Sequence, residues 1–184
     1  MKVLEAIKNR RSIRKYKTIP VCDKTLGLVL EAARWAPSWS NTQCWRFIVV
    51  RDRNIKTKLA SVIPATNRGA AAIESAPLAI VFCAEMGKAG YFKDKTEPAT
   101  DKGDWFMFDV ALAMHNLVLT AHSLGLATVY IGSFDAKKAA GILELPGSLC
   151  VVAMTPLGYP DEERKPRPRK ELSEITFYNK YGAK

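Results

Sequence analysis

The sequence predicts an α+β fold in which one β-sheet is covered by helices. Three observations carry that reading. Four apolar runs, at 45–50, 77–84, 127–131 and 149–157, have the length and residue types of buried strands. Helical periodicity fills the chain between them, without the regular strand–helix–strand alternation of a parallel sheet. The longest helical pattern, 104–123, is apolar on nearly all sides, which marks a buried helix. In a chain of 184 residues such a helix implies that one face meets a partner subunit.

In chain order, residues 3–9 place Val3, Leu4 and Ile7 on one face of a short helix. Pro20 interrupts the basic stretch that follows, and Asp23 is the expected N-cap of a helix that ends before Pro37. Residues 37–44 form a polar loop ahead of the first strand. Helices are expected at 54–62 and 66–75, with Pro64 between them, before the second strand. Residues 87–103 are glycine-rich, charged and aperiodic, and read as a long loop or partly ordered lid. Gly125 suits a left-handed C-cap after the long helix. The third strand ends at Gly132, and Asp135 caps a short helix through Leu143. The fourth strand ends at Gly158-Tyr159-Pro160. The tail, 161–184, is charged and proline-rich and then amphipathic from 172 to 181, with nothing of its own to pack on.

The bulk numbers narrow the class. One domain spanning 1–184 is expected, 48% hydrophobic and 25% charged, with no visible repeat. The N-terminus lacks the apolar core of a signal peptide, so a cytoplasmic protein is expected. Residues 110–134 carry no Asp, Glu, Lys or Arg, but His115, Asn116, Thr120, His122 and Ser123 interrupt them, so a buried helix and strand are expected rather than a membrane span. No two of Cys22, Cys44, Cys83 and Cys150 are closer than 22 residues, which gives no zinc or iron–sulfur spacing. His115 and His122 share a helix face but have no third ligand. The net charge is +10 and uneven: residues 1–18 hold seven Lys/Arg against Glu5, and Arg164-Lys165-Pro166-Arg167-Pro168-Arg169-Lys170 forms a second cluster. Two such clusters fit either nucleic acid or two halves of one anion pocket.

Motifs of a dinucleotide fold, P-loop, serine hydrolase or zinc protease are absent. A bound cofactor is then the expected carrier of difficult chemistry. Three pieces suit one. Arg10-Arg11-Ser12-Ile13-Arg14 offers guanidinium forks and a hydroxyl, the groups that match phosphate oxygens. Ser38, Ser40, Asn41 and Gln43 offer donors and acceptors for a heteroaromatic edge, although such residues also build turns. Ile131-Gly132-Ser133 exposes backbone N–H groups where Gly132 lets a flat ring approach.

Taken together these pieces resemble the FMN-dependent nitroreductase family over nearly the whole chain. Arg10-Arg11-Ser12-Ile13-Arg14-Lys15-Tyr16 is similar to its phosphate-binding run. Residues 36–47 are similar to its Pro-Ser-x-x-Asn-x-Gln-Pro-Trp segment, residues 124–132 to its Leu-Gly-Leu-Gly strand, and Gly158-Tyr159-Pro160 with Pro166-Arg167-Pro168-Arg169-Lys170 to its C-terminal run. The resemblance implies a central mixed or antiparallel sheet flanked by helices in an intertwined homodimer, with the tail from about 161 on the partner subunit. It implies FMN as cofactor, NADH or NADPH as reductant, and a nitroaromatic, quinone or similar small acceptor. Arg10, Ser12 and one or both of Arg167 and Arg169 would grip the phosphate, with Arg11 contributing through its backbone. Arg14 would face the pyrimidine side of the flavin, and the Ile131–Gly132 backbone would offer an N–H at N5. Pro37, Ser38, Trp39 and Asn41 would reach the flavin of the other subunit, with Trp39 either lining the substrate pocket or packed within its loop, and Asn67 the flavin edge. No side chain is required as acid or base. Cys44 stands where the family has proline and Ala127 where it has glycine; the first is expected to loosen the loop. Reductive dehalogenation, enone reduction and flavin breakdown are alternatives within the fold. A basic nucleic-acid module is the alternative outside it, opposed by aromatics that lie mostly in apolar runs.

Overall fold

Strand β2 (Leu78–Glu85) is buried along seven of its eight residues, so both of its faces need apolar cover. It is the middle of a three-stranded antiparallel sheet of order β1-β2-β3, with β1 at Trp45–Val50 and β3 at Leu149–Leu157. Side chains alternate across a strand, and the two faces enter different cores. Ala79, Val81 and Cys83 join one cluster with Leu59, Ile73 and Met154. Leu78, Ile80, Phe82 and Ala84 join another with Val29, Leu117 and Val118. The computed structural model describes residues 1–93 and 97–183.

The first core is roofed by α3 (Arg53–Ser61), α4 (Gly69–Ser75) and α6 (Ala136–Ile142), the second by α2 (Asp23–Arg34) and α5 (Phe106–Ser123). Helix α1 (Val3–Asn9) precedes them, and the single turn α7 (Leu172–Ile175) lies in the tail. Local chemistry sets the ends. Asp52 accepts from Ile55 N–H at 2.8 Å to start α3, and Asp135 accepts from Lys138 N–H at 3.0 Å to start α6. Gly125, at φ 76°, ends α5 as expected. The N-cap of α2 is Cys22 rather than Asp23; Asp23 is the first helical residue, where its charge suits the helix N-terminus, and its carboxylate pairs with Arg51 at 2.5 Å. Helix α4 starts at Gly69, later than expected, because residues 64–67 form a turn closed by Asn67 N–H on Pro64 O at 2.8 Å.

The expected strand at 127–131 does not form a ladder. Its residues reach a different partner at each step: Ala127 pairs with Gly158, Thr128 with Ser12 in parallel, and Ile131 with Met154. Val129 N–H turns instead to the Thr155 hydroxyl at 3.3 Å. Within 87–103, residues 94–96 lie outside the described residues, and the described part is tied down rather than a free lid. Ala89 is fully buried, Trp105 N–H donates to Ala89 O at 2.8 Å, and Gly87 N–H donates to Asp104 at 3.0 Å. Helix α5 leaves Met107 and Phe108 exposed, so it is buried on one side only in the single chain.

Residues 10–17 are threaded between two other segments. Ile13 N–H donates to Thr128 O at 3.0 Å, Lys17 N–H to Tyr159 O at 2.9 Å, and Asp161 N–H to Lys15 O at 3.0 Å. Gly158 is required at this crossing: a Cβ there would stand 2.6 Å from Pro77 Cδ and 3.2 Å from the Tyr16 ring. Arg14 N–H donates to Glu162 Oε1 at 2.7 Å, and Glu162 also pairs with Arg164 at 2.5 Å.

Two expectations about stability follow. Lys56 is a buried lysine, its pKa pulled down by burial and by Arg53, and its ammonium caps the end of α4 through Ala76 O and Glu74 O. Lys56→Met leaves those carbonyls without their donor, and urea unfolding should show a loss of about 1–3 kcal/mol; an unchanged midpoint would refute the capping role. Burial works against the Glu162 carboxylate, but the Arg14 N–H and Arg164 outweigh it and hold its pKa below the ordinary range. A depressed carboxylate adds stability above its unfolded pKa and loses it as pH falls through the folded value. Glu162→Gln should therefore be less stable than the parent at pH 7, with the difference closing below about pH 4. A difference that stays constant from pH 7 to acid would contradict this.

Candidate functional site

The two basic clusters, far apart in sequence, face one cavity of about 810 Å³. Arg10, Arg11, Ser12 and Arg14 line one side of it, and Arg164, Lys165, Arg167 and Arg169 the other. Among the described residues, no Asp or Glu lines this cavity. So many like charges around a common space, without carboxylates, make a focused positive field that favours an anion.

Within the run the side chains divide their work. Arg11 Nη1 donates to Lys8 O at 2.6 Å and Arg10 O at 2.9 Å, so its fork caps the C-terminal end of α1. Its Nη1 is thus used inside the chain. Arg10 Nη1 and Arg11 Nε are buried without a protein acceptor. A buried guanidinium N–H without an acceptor is costly, and an anion supplies acceptors. Arg10 also bears on α5: burial first, and Arg10 next, lower the pKa of both His115 and His122. His122 Nε2 likewise has no partner, and with Arg10 and Arg11 it lines an adjoining cavity of about 440 Å³.

At the far end of 127–132, Ile131 and Gly132 separate in role. Ile131 is 2% exposed, and its N–H donates to Met154 O at 2.9 Å. Its N–H is therefore spent on the fold, which removes it from the expected donors. Gly132 is exposed, and a Cβ there would meet nothing within 4 Å, so the space beside it is open. Asn67 stands near this edge through Gly69, whose Cβ would lie 3.0 Å from Asn67 Oδ1 and 3.1 Å from Ile131. The Asn67 carbonyl accepts from Gly69 N–H at 2.9 Å.

The loop 37–43 is not part of this cavity within the chain. Pro37, Ser38 and Trp39 line a separate space of about 250 Å³ with Trp105, Phe108, Asp109 and Leu112. Ser40, Asn41 and Gln43 hold positive φ values of 43°, 57° and 47°, an uncommon state for residues other than glycine. Gln43 N–H donates to Ser38 Oγ at 3.0 Å and Gln43 Nε2 to Asn41 Oδ1 at 3.1 Å, so these acceptors are used inside the turn. The strained loop is pinned by Asp109, 1% exposed, which accepts from Trp39 N–H at 3.0 and 3.1 Å and from the Cys44 thiol at 3.8 Å. Burial raises the Asp109 pKa against those bonds. Burial and Asp109 push the Cys44 thiol up to about 12, so it stays protonated and donating. Cys44 thus fastens the loop that it was expected to loosen. Asp109, Glu162 and the His115–Tyr130 hydrogen bond of 2.7 Å were missed in the sequence. For Asp109 a signal existed: it is the last charge before the uncharged run 110–134.

Among the described residues, no helix is long and apolar enough to cross a membrane, and no group of three or more His, Cys, Asp or Glu is placed to hold a metal ion. The sequence model of the Nitroreductase family matches residues 7–70 and 64–159. A Methanothermobacter thermautotrophicus protein with the provisional name NADH dehydrogenase/NAD(P)H nitroreductase is 36% identical over 166 residues, covering 88% of this chain and 79% of that one. The crystal structure of a nitroreductase family protein from Clostridium novyi NT is 32% identical with a TM-score of 0.78, covering 100% of this chain and 96% of that one. An FMN-dependent nitroreductase from Clostridium difficile R20291 is 29% identical with a TM-score of 0.80, covering 96% and 99%. On the shared fold, the matched residues and these identities, the chain belongs to the nitroreductase family.

Proposed function

We propose that the protein is an FMN-dependent oxidoreductase that takes reducing equivalents from NADH or NADPH and delivers them to a small acceptor such as a nitroaromatic or quinone, acting as a homodimer. The observation that carries this reading is the convergence of Arg10, Ser12 and Arg14 with Arg167 and Arg169 on one cavity whose described lining holds no carboxylate. The printed names of the relatives, which include NAD(P)H nitroreductase and FMN-dependent nitroreductase, support the cofactor and the reductant.

The residues present fit FMN. The unpartnered Arg10 Nη1 and Arg11 Nε, with the Ser12 hydroxyl in the same cavity, suit a phosphate monoester. Arg167 and Arg169 add charge from the opposite wall. Arg14, its backbone fixed by Glu162, offers a cation for the pyrimidine end of the ring, where a fixed positive charge favours the reduced form. Gly132 offers the open N–H and the close approach that Ile131 does not. When bound, the flavin supplies the hydride-transfer chemistry. The protein binds, orients and tunes, and no side chain need act as acid or base. The loop 37–41 lies on a separate cavity of the same chain, so its role is assigned to the site of a second subunit. The exposed tail, with Tyr181 93% exposed and Leu172 76% exposed, is assigned to the partner surface as well.

The purified protein, as isolated or after soaking in FMN, should show the visible absorption of oxidised flavin and lose it on addition of NADH or NADPH. A colourless protein that takes up no FMN would sink the proposal. Arg14→Ala should weaken FMN binding by about tenfold or more, the loss expected for a hydrogen bond to a charged group, and should slow flavin reduction in stopped flow. Unchanged affinity and rate would remove Arg14 from the site.

A further inference from the structure

Tyr130 lies between the two ends of the proposed site and has no part in the reading above. The parallel bridge of Ser12 to Thr128 sets residues 10–14 alongside 127–132. Ile13, Val129 and Ile131 all enter the same core cluster. By the alternation of extended chain, Ser12 and Arg14 on one segment, and Tyr130 and Gly132 on the other, project to the side away from that core. Tyr130 is 40% exposed there. Its ring is nonetheless held. His115 of α5 hydrogen-bonds the phenol through Nδ1 at 2.7 Å, and the two rings stack with centroids 6.5 Å apart at 26°. Arg10 is close enough to bear electrostatically on both side chains. Burial, then Arg10, keep His115 below its ordinary pKa, so it serves the phenol as a neutral partner rather than as a second cation.

We propose that Tyr130, locked by His115, is the platform on which the cofactor ring rests between its phosphate end at Arg10 and Ser12 and its edge at Gly132. This rests on the FMN reading of the site. A phosphate-bearing ligand with a flat ring that reaches from Arg10 to Gly132 passes over the residue between them, and that residue presents an aromatic face. The hydroxyl tied to His115 fixes the ring plane, so less freedom is lost when the ligand binds. His115 is a positioning residue that acts through Tyr130.

The test titrates flavin-free protein with FMN and reads both affinity and the fluorescence of the bound flavin, which a stacked phenol quenches by electron transfer. Tyr130→Leu keeps bulk but removes the aromatic face. It should bind FMN about 5- to 100-fold more weakly, the range for loss of one stacking contact, and its bound flavin should be brighter than in the parent. Tyr130→Phe keeps the aromatic face and should retain most of the affinity, while its bound flavin should brighten, because a benzene ring is not oxidised as a phenol is. His115→Ala, at an exposed position of α5, should give a smaller loss of affinity with partial loss of quenching. Parent-like affinity and quenching in Tyr130→Leu would overturn the platform while leaving the FMN reading intact. A parent protein that binds no FMN would overturn both. If Tyr130→Leu does not fold, parent-like quenching in Tyr130→Phe would overturn the platform, and parent-like affinity and quenching in His115→Ala would overturn the lock.

Discussion

The site depends on holding like charges close together. Residues 10–17 carry Arg10, Arg11, Arg14, Lys15 and Lys17, and the tail brings Arg164, Lys165, Arg167 and Arg169 to meet them. Coulomb repulsion alone would drive such segments apart. The backbone prevents it. The run is bonded to Thr128 on one side and to Tyr159 and Asp161 on the other, and these N–H and C=O groups would otherwise need water. The acid groups take complementary places. Glu162 binds the Arg14 backbone and Arg164 rather than filling the cavity, so it supports the wall without neutralising the space. The N-terminal run and the C-terminal cluster thus come to one cavity through main-chain bonding, with side chains other than the Arg11 Nη1 and the paired Arg164 left to face it.

The loop after α2 solves a different problem with a buried carboxylate. Three residues other than glycine at positive φ cost conformational energy, and such strain persists only where the surroundings over-determine it. Asp109 provides this. It sits in the first turn of α5, where the helix dipole favours negative charge. It accepts from the loop at both ends, at Trp39 and at Cys44. Trp39 then packs on Trp105 with ring centroids 5.3 Å apart, and Trp105 on Phe108 at 5.4 Å. Polar bonding sets the shape of the loop, and the aromatic rings set the wall of its cavity.

Much of this was legible in the sequence, and the failures share a cause. Strands β1 and β3 fell at the residues their apolar runs mark, and β2 within one, because a short apolar and β-branched run between turn residues can be read without knowing its partner. Asp135 and Gly125 announced helix ends through local bonding. The 127–131 segment was misread because its residues have strand character, while a ladder requires one neighbour over several steps and this segment has three. The convergence of Arg10–Arg14 with Arg167 and Arg169 was foreseen only through family resemblance. Composition alone left it equal to a nucleic-acid surface, since charge clusters carry no information about which way their segments fold. Glu162 and the His115–Tyr130 bond were invisible for the same reason: each joins positions whose spacing follows no helical or strand period.

What the single chain leaves exposed bears on why the site is divided. Met107 and Phe108 on α5, Leu172 and Ile175 in α7, and Val3, Leu4 and Ile7 on α1 are apolar and open to water. Scattered apolar side chains on a surface are ordinary. Here they fall on three elements, and each borders a piece of the proposed site: α1 leads into the basic run, the tail helix follows Arg169, and Phe108 lines the Trp39 cavity. One chain presents the basic wall and the aromatic loop in separate cavities, and the bonds from Trp39 to Asp109 hold the loop at its own cavity. Under the proposed function, a second copy docked on these apolar elements would meet both needs: it would cover the exposed surface and supply to each basic wall the loop that its own chain holds elsewhere. Under the proposed function, dimerisation is therefore part of cofactor binding, and FMN affinity and subunit association are thermodynamically linked.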